Sequence, residues 1–274
     1  MAPLRIVALG SSFAAGPGIA PVVDSKAKRS GNNYAHILSR SLEAQLTDLT
    51  SSGATLMNVL QEPQRTGLLL PSSPLSPQLD HLPPDADIVT LTAGGNDLDY
   101  SKGMILDAMK TSALDMLYLK DYFRTPGVDP AEPRIGLVTQ DQVKERFLAV
   151  FDKVHSIAPQ ARIYLVQYLD IFGSQTEVDA EQPLGKSQVE LYIKMAGDLA
   201  RTYRDAAAAR SDFVELVEMA DLSKGHSLGC PEPWVVGFTY KMMLQGVAPY
   251  HPNEGGHQAV AKVLEDRIKQ RVQL

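Results

Sequence analysis

LRIVALGSSFAAGPG, residues 4–18, joins an apolar run to a Gly-Ser-Ser turn and a string of small residues. Leu4–Leu9 is short, apolar and closed by Gly10, the pattern of a buried strand that hands over to a tight turn. Two hydroxyls, Ser11 and Ser12, therefore stand where that strand ends. Glycines in such a turn let backbone N–H groups approach a ligand closely.

Working outward, DIVTLTAGGND at 87–97 reads as a second buried strand that ends in glycines. ARIYLVQYL at 161–169 and DFVELVEM at 212–219 are two more. Helical spacing lies between them. Asn33–Leu46 sets Tyr34, Ile37, Leu38, Leu42 and Leu46 on one face, with Gln45–Leu49 able instead to turn into a short strand. Thr139 to Gln142 has the form of a capping box, followed by an apolar face of Val143, Phe147, Val150, Phe151 and Val154. Residues 187–208 repeat that pattern with Val189, Tyr192, Ile193, Ala196, Leu199, Ala200 and Tyr203. A last helix follows His251-Pro252 and turns Ala259, Val260, Val263, Leu264 and Ile268 inward. Strands separated by long helical segments predict β-α-β units and a parallel sheet covered on both faces.

Three stretches fit the alternation badly. Residues 62–86 are rich in proline and read as an extended surface connection. Residues 100–138 and 220–250, the latter with Trp234, read as lid or pocket segments of one domain over 1–274. Within them, Met104–Tyr118 and the surroundings of Trp234 supply apolar side chains for either a substrate pocket or the core.

The 274 residues carry 44% apolar and 21% charged side chains and a formal charge of −6. That balance lacks the basic excess a nucleic-acid partner requires. No run approaches the roughly 18 apolar residues of a membrane span. The segment MAPLRIVALG is too short and too charged for a signal peptide, so a cytoplasmic location is expected. Cys230 is the sole cysteine, and a lone cysteine in GCPEPW is read as packed rather than nucleophilic.

Parallel α/β sheets bind ligands beyond the carboxyl ends of their strands. Gly10-Ser11-Ser12 and Gly94-Gly95-Asn96-Asp97 both fall there. Neither has a dinucleotide or P-loop glycine spacing. The G-x-S-x-G elbow also fails, since Ala14 stands two residues after Ser12. His251 and His257 flank a predicted helix start without a third ligand cluster, so neither a metal nor a cofactor is expected. His251, in the loop before that helix, is placed to act as a general base for a serine.

Taken together, these blocks resemble the SGNH (GDSL-type) hydrolases, in order, at 7–18, 51–55, 92–97 and 251–257. The resemblance implies a three-layer α/β/α sandwich with a flavodoxin-like parallel sheet and hydrolysis of an ester or lipid. It implies Ser12 as nucleophile and His251 as base, with Ser12, Gly53 and Asn96 donating to the oxyanion. Ser11 stands where the family usually has aspartate. Ala248 stands three before the histidine, where the triad aspartate is usual, so its backbone carbonyl is expected to orient His251 in a Ser-His dyad. The competing expectation is that Asp97 or Asp99 replaces the lost acid. RSGNNYA at 29–35 and GCPEPWV at 229–235 resemble the secreted esterase and lipase branch. Deacetylase, thioesterase, lysophospholipase, acyl transfer or simple acyl-ligand binding remain open alternatives for the same machinery.

Overall fold

A computed structural model describes residues 3–66, 73–111, 138–177, 179 and 182–272. The strands are β1 (Arg5–Gly10), β2 (Val22–Asp24), β3 (Arg29–Ser30), β4 (Gln45–Asp48), β5 (Ile88–Thr92), β6 (Arg162–Val166) and β7 (Val214–Val217). The helices are α1 (Ser12–Ala15), α2 (Tyr34–Ser41), α3 (Leu56–Leu60), α4 (Tyr100–Thr111), α5 (Gln140–Ile157), α6 (Lys186–Ala208), α7 (Met219–Ser223), α8 (Tyr240–Leu244) and α9 (Glu254–Val272). Short 3-10 turns lie at Gln78–His81 and Lys224–His226.

Five strands form one parallel sheet in the order β4-β1-β5-β6-β7, and β2 and β3 make a separate antiparallel hairpin. Counted within the large sheet alone, that order is 2-1-3-4-5, the flavodoxin-like arrangement. Its switch point falls between β1 and β5, so their carboxyl ends open one crevice. Both strands are buried on both faces, which is why Ile6–Leu9 and Ile88–Thr92 read as unbroken apolar or small runs. Helices flank the sheet: α2 packs on α9, and α5 packs on α6 and α3.

The capping box at Thr139 and Gln142 opens α5, and Val143, Phe147, Val150, Phe151 and Val154 are all buried. In α6, Tyr192, Leu199 and Tyr203 face inward, whereas Ile193 is exposed. One step beyond Tyr192 turns it about 100° away from the core. The helix expected over 33–46 stops at Ser41, and Glu43 adopts a left-handed φ of 49° to turn the chain into β4. Residues 62–86 are not simply a surface connection: Gln64 bridges Leu75, and Gln78 and Leu79 are buried. Of the segment 100–138, residues 100–111 form α4 with Met104 in the core, and 112–137 lie outside the described residues. Among the described residues no helix is long and apolar enough to cross a membrane.

Candidate active site

The turn after β1 decides where each serine points. Gly10 has φ 139°, and a Cβ there would sit 2.3 Å from the Thr92 carbonyl oxygen. The Ser11 amide then donates to that same carbonyl at 2.9 Å, which holds the end of β1 against the end of β5. The buried side chain of Gln78 brackets Gly10 from the other side. Its Oε1 accepts from the Gly10 amide at 2.8 Å, and its Nε2 donates to the Gly10 carbonyl at 2.9 Å.

Ser11 is the N-cap of α1, yet it makes no side-chain cap. Its hydroxyl turns inward to the Tyr168 hydroxyl at 2.8 Å. Ser12 opens the helix and points the other way. Its Oγ lies 2.7 Å from His251 Nε2. Ser12 is 4% exposed and His251 5%, with the Phe13 ring 5.0 Å from the imidazole centroid.

His251 is fixed by backbone. Tyr250 donates to the Val236 carbonyl at 3.0 Å, and Val236 donates to the His251 carbonyl at 3.0 Å. Asn253 then reaches Pro233 through Nδ2 at 2.7 Å and accepts from Gly256 through Oδ1 at 2.9 Å, at the start of α9. Nδ1 of His251 lies 2.7 Å from the Pro249 carbonyl oxygen. A carbonyl only accepts, so Nδ1 carries the proton and Nε2 is left to accept from the Ser12 hydroxyl. Burial pushes the His251 pKa down to about 4; the Pro249 bond works against that shift and the Lys28 charge adds to it.

The carbonyl bonded to Nδ1 is that of Pro249, where the family resemblance implied Ala248. Tyr250 has φ 57°, a left-handed kink that folds the chain back so that the carbonyl two residues before the histidine reaches Nδ1.

The two glycine loops meet each other. Asn96 Nδ2 donates to the Ala54 carbonyl at 2.9 Å, which joins the β5 loop to the residue after Gly53. Gly53 has φ 87° and is exposed. Asp97 does not meet His251. Its Oδ2 accepts from the Leu56 amide at 2.9 Å and its Oδ1 from Arg146 at 2.6 Å, with the carboxylate fully buried. Burial pushes its pKa up, and those two donors oppose the shift. Asp99 has φ 55° and its carbonyl accepts from Gly103 at the start of α4. Among the described residues, no carboxylate is bonded to His251.

His257 is a core residue. Its Nδ1 accepts from the Tyr34 amide at 3.1 Å, and burial pushes its pKa down to about 3. Cys230 is buried beside Ser227. Trp234 stacks on His226 with ring centroids 3.9 Å apart.

Gln78, Tyr168, Arg146 and Pro249 have no periodic or motif signal. Only the glutamine's apolar surroundings, between Pro77 and Leu79, hint that it turns inward.

An α/β sandwich whose first strand ends on a hydroxyl bonded to an imidazole defines a protein of the serine-hydrolase class. The model of the GDSL-like Lipase/Acylhydrolase family matches residues 8–259, and the chain belongs to that family, whose members are carboxylic ester hydrolases. Lipase 2 of Streptomyces coelicolor is 27% identical over 94% of this chain and 84% of its own. Two solved structures share the fold: a phospholipase A1 from Streptomyces albidoflavus NA297 and an extracellular lipase from Streptomyces rimosus. The first has a TM-score of 0.68 at 18% identity, covering 97% of this chain and 99% of that one. The second has a TM-score of 0.60 at 20% identity, covering 96% and 99%.

Proposed function

We propose that this ester hydrolase is a serine esterase or lipase that works through an acyl-enzyme, with a Ser12–His251 dyad and no carboxylate on the histidine. The observation that carries the reading is the 2.7 Å contact between Ser12 Oγ and His251 Nε2.

Ser12 Oγ attacks the ester carbonyl carbon while its proton passes to Nε2. The carbonyl π pair moves to oxygen and makes an oxyanion. Three donors serve it: the Ser12 amide, which has no acceptor within α1; the Gly53 amide; and the second N–H of the Asn96 side chain. Removing one such donor costs roughly 3 kcal/mol in the barrier. Collapse breaks the carbonyl–alkoxy bond, and the departing alcohol takes the proton from Nε2. Water then repeats the sequence on the acyl-Ser12 ester and releases the acid.

The Pro249 carbonyl supplies the tautomer and ring orientation that an aspartate supplies in a full triad, with a dipole in place of a charge. The imidazolium is consequently less stabilised, and turnover is expected to be modest.

The experiment is stopped-flow hydrolysis of p-nitrophenyl acetate. A burst of one p-nitrophenolate per chain followed by a slower steady rate is expected, with the burst lost in Ser12→Ala. A wild-type rate that persists in Ser12→Ala refutes the assignment.

A further inference from the structure

Beside Gly53 lies an open cavity of about 470 Å³ that the hydrolytic machinery leaves unexplained. Its walls include Lys26, Lys28 and Arg65, together with Asn58 and Gln64, and no carboxylate lines it among the described residues. Three cations on one concave surface stand out in a chain whose formal charge is −6.

Backbone and amide bonds fix this basic surface to the oxyanion loop. The Ser52 amide donates to the Ala27 carbonyl at 2.9 Å, which sets Lys28 next to the loop between β4 and α3 that carries Gly53. The Ser52 carbonyl accepts from Gln64 Nε2 at 2.8 Å, which sets Arg65 on the other flank. A Cβ at Gly53 would sit 3.4 Å from that same Gln64 nitrogen. Lys28 has φ 51°, a left-handed position that a lysine rarely occupies. Its charge is felt at His251, where it disfavours the imidazolium.

Neighbouring carboxylates are engaged elsewhere. Asp24 accepts the Lys26 and Ala27 amides and faces Arg29 at 3.7 Å. Asp48 holds the Asn33 side chain, Thr50 and Arg29. Lys26 Nζ donates to the neutral Ser73 hydroxyl at 3.0 Å and makes no ion pair among the described residues. Among the described residues, Lys28 and Arg65 make no ion pair. Glu62 is exposed and contributes its backbone carbonyl, not its carboxylate, to Asn58.

We propose that this cavity is an anion subsite that seats a phosphate group of the ester substrate while the scissile carbonyl lies at Ser12, a statement that rests on the ester-hydrolase reading above. Arg65 offers a planar fork of donors and the lysines offer point charges, the pairing that suits tetrahedral phosphate oxygens. The second N–H of the Gln64 amide, the one not given to Ser52, completes the polar wall. A phosphate seated against Lys28 also offsets the field that this lysine exerts on the base. The phosphate comes either from a small soluble ester or from a lipid headgroup, and the test separates the two.

Two substrate pairs serve: 1-butyrylglycerol against 1-butyrylglycerol 3-phosphate in solution, and 1-oleoylglycerol against 1-oleoylglycerol 3-phosphate in neutral detergent micelles. The readout is the ratio of kcat/KM for the phosphorylated member to that for the neutral one. Lys28→Asn combined with Arg65→Gln removes two charges, and asparagine tolerates the left-handed φ. The wild-type ratio is expected to be on the order of 10 and to fall near 1 in the double variant, while Lys28→Arg keeps it. An advantage in the butyryl pair assigns a soluble phosphate ester, and an advantage confined to the oleoyl pair assigns a headgroup. A wild-type ratio near 1 in both pairs, or a ratio unmoved by the double substitution, overturns the subsite.

Calorimetric titration of Ser12→Ala protein with the butyryl pair reads the subsite without turnover. Tighter binding of the phosphorylated ester, weakened about tenfold by the double substitution, is expected even if no ester proves to be hydrolysed. Equal binding of the two esters overturns the subsite while leaving the dyad untouched.

Discussion

Adjacent serines at 11 and 12 share a turn and do opposite jobs because one is the N-cap and the other the first helical residue. Ser11 packs its hydroxyl against Tyr168, while Ser12 presents its own to His251. Fluorophosphonate labelling is expected to vanish in Ser12→Ala, with kcat down by at least about 10³-fold. Ser11→Ala is expected to keep labelling and lose about 1 kcal/mol of stability, the worth of one hydrogen bond. Labelling of Ser12→Ala at the wild-type level contradicts the nucleophile. The same logic separates Asp97 from His251. Asp97→Asn keeps an acceptor for Leu56 and loses the charge that Arg146 needs, so its cost falls on folding, at about 3 kcal/mol. Its kcat/KM is expected to drop far less than that of His251→Ala, in variants whose circular dichroism shows them folded. Matched losses point instead to a carboxylate relay. At this scale the sequence announced Ser12, His251 and the Gly-Gly-Asn-Asp turn by motif. It did not announce Pro249, because the reach of a carbonyl depends on the φ of Tyr250, which no spacing encodes.

Elements with strong periodicity were legible, and those shaped by single side chains were not. Strands β1, β5, β6 and β7 and helices α5, α6 and α9 follow their apolar patterns because burial alone dictates them. The hairpin β2–β3, the short helices and the 3-10 turn at Gln78–His81 rest on turn geometry and local hydrogen bonds, so no repeat marks them. That 3-10 turn matters most for the site. Gln78 satisfies both polar groups of the Gly10 peptide from within a proline-rich stretch, and so pins the switch point from which Ser12 projects. Gln78→Ala strips two buried bonds at once and is expected to cost about 2–4 kcal/mol in urea unfolding. Because Gly10 then loses its brace, kcat is expected to fall more than KM rises. Unchanged stability with unchanged kcat shows that β1 holds its own end.

Across the whole molecule, two fully buried imidazoles make folding sensitive to acid before catalysis is. His251 and His257 are held neutral with pKa values pushed to about 4 and about 3 by burial, against about 6.5 in an unfolded chain. Both folded values are depressed, so the unfolded state binds more protons between those limits. Stability is therefore full above about pH 6.5 and declines as pH falls toward 4, by up to about 1.4 kcal/mol per pH unit for each histidine. Asp97 acts the other way, since its raised pKa makes the native state the better proton binder just above the usual carboxylate range. Asp170, whose carboxyl burial pushes up to about 6, acts with Asp97, so the two carboxylates flatten that slope between about pH 4 and 6. General-base catalysis requires neutral His251, so the acid limb of kcat/KM is expected near pH 4 in short assays, below the range where the folded state begins to weaken. His257→Gln separates the two effects. Glutamine can still accept from the Tyr34 amide through Oε1, but it cannot titrate. Urea unfolding of this variant between pH 4.5 and 6.5 is expected to show proton uptake smaller by about one than the wild type, with the kcat/KM profile unmoved. Identical pH slopes for the two proteins exclude a neutral buried His257, and a shifted catalytic limb ties that core residue to the base.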